Sequence, residues 1–310
     1  MIRGKSEKEK LKADAPSRPR FPFRLHAFIL EHIGKERLKS LQEKETQLPR
    51  VAASFYLNSA PLIWSFTNGS MRSDVELLTD AAPARCADML ARGEADVALV
   101  PVIEYQRIPE ILIVPDVCVG SRARVRSVVL ATRCHDLQDV RTIALDTSSR
   151  TSAVLIQIIF REFLGREPEC RPSAPDLRAM LETSDAALLI GDPAMTFPRE
   201  DLRVHDLAGL WREHTGLGFV FAMWMARESV AQRVRAVDFA GARDEGLAHV
   251  EEIISLYENE LNLPRAELRE YLLENISFTL DAEMRKGVEL YYELARKHGF
   301  IPAARALKTI

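Results

Sequence analysis

The sequence predicts a two-lobed α/β protein, each lobe a mainly parallel sheet flanked by helices. Three observations predict it. Short apolar runs of strand length alternate with amphipathic stretches of helix length, the order of chains that build parallel sheets. A strand, polar loop and helix follow one another from Arg50, and the same order restarts at Thr142. The 310 residues are enough for two lobes.

Residues 1–48 precede this body. Met1–Arg20 is rich in Lys, Arg, Glu, Ser and Pro, a composition expected to stay disordered. Phe21–Gln47 sets Phe28, Leu30, Ile33, Leu38 and Leu41 near helical spacing. Residues 1–50 hold 13 Lys and Arg against 7 Asp and Glu, whereas the whole chain has a net charge of −3. A basic head of this kind touches nucleic acid or acidic membrane in some proteins. Here acids are mixed evenly among the bases, which favours a solvated extension.

The body opens at Pro49. Arg50–Tyr56 is a short apolar run, expected as a strand, and Asn58-Ser59-Ala60-Pro61 turns the chain into a helix started by Pro61. Val75–Leu78 reads as the next strand. Pro83–Arg92 is a helix with Cys86, Met89 and Leu90 on one face, ended by Gly93, and Ala95–Val100 is a strand of the fully buried type. Ile111–Val114, Val117–Val119 and Val125–Ala131 follow as strands. Thr142–Leu145 is a strand, Thr151–Leu164 a strong amphipathic helix, Asp176–Glu182 a helix, and Ala186–Ile190 and Gly218–Ala226 are apolar strands. From Arg243 onward the pattern is helical, broken near Leu263–Pro264 and at Gly299–Pro302. The expected division is a basic, partly disordered extension at 1–48 and a first lobe at 49–126 completed by C-terminal helices at 228–310. The second lobe takes 127–227.

Several classes of function are disfavoured. The four cysteines form no C-x-x-C, and the seven histidines form neither H-x-x-x-H nor H-E-x-x-H, so no metal is expected. Unpaired thiols suggest a reducing cytoplasm. No secretory pattern begins the chain, and no run nears the roughly 20 apolar residues of a membrane helix. Neither a membrane nor a nucleic-acid partner is expected; oligomeric state is left open. G-x-S-x-G, the Walker loop and G-x-G-x-x-G are all missing.

Ligands of open parallel sheets bind at the carboxyl ends of strands, beside helix N-termini. Three polar loops occupy such places. The first is Leu57–Pro61, where Asn58 and Ser59 are either turn residues or ligand contacts. The second, Asp146–Ser152, crowds Thr147, Ser148, Ser149, Thr151 and Ser152 with Arg150 at a strand-to-helix junction. Free N–H groups there attract carboxylate or phosphate. Simple capping by Ser149 or Thr151 is the plainer alternative, but a cap needs one hydroxyl. The third is Gly191–Asp192, where Asp192 is more simply a helix cap. Glu104 is a base or a cap. Trp211, Trp224, Phe219 and Phe221 are expected in the core.

Six segments then occur in a telling order: Ser54-Phe-Tyr-Leu-Asn-Ser-Ala-Pro-Leu62, Asp96-Val-Ala-Leu-Val-Pro-Val-Ile-Glu-Tyr105, Ser127-Val-Val-Leu130, Ala144-Leu-Asp-Thr-Ser-Ser-Arg-Thr-Ser152, Ala187-Leu-Leu-Ile-Gly-Asp192 and Trp211-Arg-Glu-His-Thr-Gly-Leu-Gly-Phe-Val-Phe-Ala-Met-Trp224. Together they resemble the chorismate dehydratases of the futalosine route to menaquinone, over about residues 50–228. The resemblance implies a periplasmic-binding-protein-like (type II) fold used as a lyase. The implied reaction dehydrates chorismate to 3-[(1-carboxyvinyl)oxy]benzoate without a cofactor. It departs from the family at Val102, where Ser is usual, and at Gly218, where Pro is usual. On this resemblance Asn58 and Ser59 face the reacting ring carbons, and Ser148, Ser149, Arg150, Thr151 and Ser152 hold a substrate carboxylate. Gly191, Asp192 and Thr215 are further substrate contacts. The alternatives are a non-catalytic solute-binding protein for a small carboxylate and another menaquinone-route enzyme on the same fold.

Overall fold

A computed structural model describes residues 48–80, 82–199 and 201–310. The helical stretch expected at Phe21–Gln47 and the basic head lie outside the described residues.

Among the described residues, ten strands form two five-stranded sheets. They are β1 (Arg50–Ser54), β2 (Glu76–Asp80), β3 (Val97–Pro101), β4 (Ile111–Ser121), β5 (Val128–Thr132), β6 (Thr142–Asp146), β7 (Glu169–Ser173), β8 (Ala186–Ile190), β9 (Arg203–Asp206) and β10 (Phe219–Arg227). The first sheet runs β2-β1-β3-β10-β4 and the second β7-β6-β8-β5-β9. Both share one plan. Three strands are parallel, joined by helical crossovers, and a fourth is inserted antiparallel beside them.

Mainly parallel sheets were expected; the sheets are mixed. The inserted strands are the reason, because each is supplied by a passage between the lobes. β5 enters the second sheet directly from β4, and β10 returns to the first sheet, pairing with β3 and β4. β10 falls inside the span that sequence reading gave to the second lobe, yet its hydrogen bonds are in the first sheet. The passage from β4 to β5 is pinned by Asp206, whose carboxylate accepts from the backbone N–H groups of Val125, Arg126 and Gly209.

The central strands are apolar throughout because helices cover both faces. β3 and β8 are buried along their whole length. Trp211, Trp224 and Phe219 are fully buried, as expected for core aromatics. Asp96, 1% exposed, ties the body together through Arg50 at 2.8 Å and Arg233 at 3.2 Å. Pro83–Arg92 forms the helix the sequence predicts, and Gly93 ends it in the left-handed conformation, φ 73°. The helix expected over Thr151–Leu164 runs as an α-helix to Ile158 and as a π-helical segment over Ile159–Phe163.

The C-terminal helices do more than cover the first lobe. The Phe239–Ala248 helix packs on the Ala60–Thr67 helix, at a contact so close that any Cβ on Gly246 would strike the Pro61 carbonyl. The Ala282–Lys297 helix touches both lobes. Its Tyr292 hydroxyl donates to the Val102 carbonyl at 2.7 Å, and its Tyr291 hydroxyl donates to the Thr151 carbonyl at 3.1 Å.

Candidate active site

The three polar loops meet at the carboxyl ends of β1, β6 and β8. They enclose a cleft of about 510 Å³ with its open mouth included. Asn58 and Ser59 line it from the first sheet, and Ser148, Ser149, Arg150, Thr151, Ser152 and Gly191 from the second. Its floor is apolar, with Leu99, Val128, Ile190 and Phe221. Phe221 is therefore both core and cleft wall.

The first loop leaves β1 at Ser54 and makes a 3-10 turn over Leu57–Ser59 before the Ala60–Thr67 helix. Ser54 Oγ lies 3.3 Å from Ser59 Oγ, and the Ser59 hydroxyl reaches Asn58 Oδ1 at the same distance. Asn58 lies near enough to the Tyr271 hydroxyl to influence its ionisation, and that hydroxyl donates to Ser127 Oγ at 2.7 Å. Tyr271 opens a π-helical segment, Tyr271–Asn275, and is fully buried. Burial holds its phenol well above the usual range.

The second loop is organised by Asp146, the last residue of β6 and only 1% exposed. Its carboxylate accepts from Ser148 N at 2.8 Å, from Ser148 Oγ at 2.5 Å and from Ile190 N at 3.2 Å. Desolvation raises its carboxyl above the ordinary range. The Thr151–Ile158 helix has no side-chain cap. Its first N–H groups, which lack intrahelical partners, are therefore not taken by Ser149 or Thr151, against the capping alternative.

Arg150 is the only charged side chain on the cleft wall among the described residues. Its guanidinium already donates to Asp88 at 2.7 Å and to the buried Glu104 at 3.1 Å. Glu104 is further paired with Arg107 at 3.2 Å, so it is neither a free base nor a helix cap.

The third loop turns at Gly191, φ 66°. A Cβ there would lie 2.5 Å from the Tyr56 ring, so Tyr56 of the first loop rests directly on the Gly191 backbone. Asp192, expected as a helix cap, makes no cap contact. It reaches across to the first loop and accepts from Leu57 N at 3.0 Å. It does not line the cleft. Thr215 is not at the site either: its hydroxyl donates to the Trp211 carbonyl at 2.7 Å, at the end of its own helix. Val102 is fully buried and absent from the cleft wall, so the hydroxyl usual at that position is not missing from the wall itself.

Sequence reasoning missed Tyr56, Asp146 and Tyr271. Tyr56 and Asp146 sit inside the quoted segments, Tyr56 at the end of an expected strand and Asp146 at the start of the second polar loop, where neither has a local signal of its role. Tyr271 is distant in sequence and carries no local signal.

The chain matches the family model for menaquinone biosynthesis over residues 49–297. It belongs to that family. A curated relative, the chorismate dehydratase of Thermus thermophilus, is 29% identical over 257 residues, covering 77% of this chain and 92% of the relative. Among solved structures, an Archaeoglobus fulgidus protein matches with a TM-score of 0.66 at 18% identity, over 83% of this chain and 99% of that one. The periplasmic aliphatic sulphonate binding protein of Escherichia coli matches with a TM-score of 0.57 at 15% identity, over 85% and 94%. At these identities the structures establish the fold, which is that of the periplasmic binding proteins.

Proposed function

We propose that this menaquinone-biosynthesis family member is a chorismate dehydratase, forming 3-[(1-carboxyvinyl)oxy]benzoate. The observation that carries the reading is the convergence of Asn58–Ser59 and Ser148–Ser152, from two different sheets, on one cleft. The relative from Thermus thermophilus bears that activity in its name.

Chorismate is a dianion whose ring stands one elimination from aromaticity. Loss of the C3 hydrogen and the C4 hydroxyl gives a benzoate, and aromatisation drives the reaction without a redox partner. What remains for the protein is to hold both carboxylates, exclude water and assist proton movement. The uncapped helix start and the hydroxyls of Ser149, Thr151 and Ser152 suit one carboxylate. Arg150 is spent on Glu104 and Asp88, so it shapes this loop rather than gripping the ligand. Gly191 supplies backbone contact, whereas Asp192 secures the first loop through Leu57. Thr215 has no part.

Asn58 does not titrate usefully, so it is not the base. The proton acceptor in this reading is a carboxylate of the substrate itself, oriented by the Asn58 amide, with Ser59 beside it. A cytoplasmic setting accords with four unpaired cysteines. The test is Asn58→Ala in the purified chain. Loss of at least 100-fold in kcat, with chorismate still bound, is expected. Undiminished turnover would remove Asn58 from the mechanism.

A further inference from the structure

Elimination from C4 expels hydroxide unless a proton arrives with it, and hydroxide is a poor leaving group. Few groups in the cleft qualify as donors. Among the lining residues only Tyr56 and Arg150 titrate. Arg150 is held by two carboxylates, and an arginine keeps its proton throughout the physiological range. The Tyr56 phenol is raised by burial, which makes it a weaker acid still.

One carboxyl group among the described residues is hydrogen-bonded to a hydroxyl on the cleft wall. Asp146, 1% exposed, lies 2.5 Å from Ser148 Oγ. Its other contacts are the backbone N–H groups of Ser148 and Ile190. No cation is paired with it in the described structure. The titratable group that feels its charge is Tyr56, whose hydroxyl lies 3.5 Å from Ser148 Oγ and which also senses Asp192. Arg150, four residues on, faces Glu104 and Asp88. Desolvation pushes the Asp146 carboxyl upward, against the hydrogen bonds from Ser148 and Ile190 that favour its ionised form, and here the acid is one hydroxyl away from the substrate space.

Building on the chorismate reading, we propose that Ser148 hands the proton of Asp146 to the departing C4 oxygen, the protonated carboxyl donating to Ser148 Oγ in reverse of the hydrogen bond that the ionised carboxylate accepts from it. As the C3–H bond breaks, its electron pair becomes the C3–C4 double bond and the C4–O bond cleaves. The leaving oxygen takes the hydroxyl proton of Ser148, and Ser148 Oγ takes the carboxyl proton of Asp146, so water departs. Asp146 regains a proton from solvent, and the proton taken from C3 returns to solvent with the product. Ser148 is the catalytic residue; Asp146 is the proton source behind it.

The experiment is the kcat–pH profile of wild type, Asp146→Asn, Ser148→Ala and the double variant, with chorismate as substrate. Wild type is expected to lose kcat as pH rises through the ionisation of Asp146. Both single variants are expected to fall about 100-fold at low pH, to lose that alkaline limb and to change KM less than threefold. The double variant is expected to be no slower than Ser148→Ala. Ser148 lies on the cleft wall, so its truncation tests the relay even where Asp146→Asn does not fold. Wild-type kcat in Ser148→Ala, or an unchanged alkaline limb in Asp146→Asn, overturns the relay. An alkaline limb lost in Tyr56→Phe instead would move the donor to Tyr56 and overturn it too. Failure of the wild-type chain to turn over chorismate would remove the parent reading along with it.

Discussion

The carboxylate of Asp192 accepts a hydrogen bond from the backbone N–H of Leu57 at 3.0 Å, so the loop ending β8 holds the loop that follows β1. Burial pushes the Asp192 carboxyl up to about 7. An exposed aspartate titrates near pH ~3.9. The folded chain therefore binds this proton more tightly than the unfolded chain. The contribution of Asp192 to stability is full at low pH, declines as pH rises from about 4 to about 7, and is level above that. Asp192→Asn keeps an acceptor for Leu57 but removes the titration. The variant's Tm, relative to wild type, should rise from about pH 4 to about pH 7 in thermal melts and level off above that. A constant offset would mean that Asp192 is not burdened by its burial.

Gly191→Ala meets two obstacles. The residue sits at φ 66°, and the new methyl would lie 2.5 Å from the Tyr56 ring. The left-handed backbone alone costs a residue with a Cβ about 1–2 kcal/mol. Displacing Tyr56 opens the cleft mouth as well. We expect kcat/KM to fall at least tenfold, and Gly191→Ala/Tyr56→Ala to recover stability only in part, since the backbone strain stays. Steady-state kinetics and melts of the two variants check this; an unaffected Gly191→Ala enzyme would show that the contact is dispensable.

Glu104 is 3% exposed and is matched by Arg107 and Arg150. Removing one partner of a buried pair costs roughly 3–5 kcal/mol, and less here because both arginines are partly exposed. Arg150→Ala should lower Tm by several degrees, and adding Glu104→Gln should restore part of the loss. If the two losses simply add in a double-mutant cycle, Arg150 is not acting through Glu104.

Tyr271→Phe deletes one buried hydroxyl that donates to Ser127 beside Asn58. The hydrogen bond is worth about 1 kcal/mol in stability. Loosening Asn58 by that amount should lower kcat about fivefold with little change in KM. In an Asn58→Ala background the same substitution should have no further effect on kcat, a comparison that separates positioning from general destabilisation.

Much of this architecture is legible in the chain itself. β8 and the Pro83–Arg92 helix stand where periodicity puts them, because a continuous apolar run and a proline-to-glycine span leave little choice. β7 escaped because Glu169–Ser173 is a polar edge strand containing Pro172, with no apolar alternation to announce it. β9, Arg203–Asp206, is short and polar for the same reason. β4 reads as two strands because Pro115 and Asp116 interrupt it, Asp116 at φ 61°, although the ladder continues past them. In the site, the hydroxyl-rich loops announce themselves by composition. What Arg150 and Asp192 do does not, because their partners, Glu104 and Leu57, are fixed by tertiary packing, whereas the Thr215 hydroxyl donates to the Trp211 carbonyl of its own helix. The roles of Asp146 and Tyr271 likewise depend on burial, which a single sequence does not display.

The most direct measurement mixes the purified chain with chorismate and follows ultraviolet absorbance and mass. The account predicts an aromatic product 18 mass units (about one water) lighter than chorismate, formed in proportion to protein. Chorismate recovered unchanged at high protein concentration, while still bound in the cleft, would contradict it and leave a binding protein in its place.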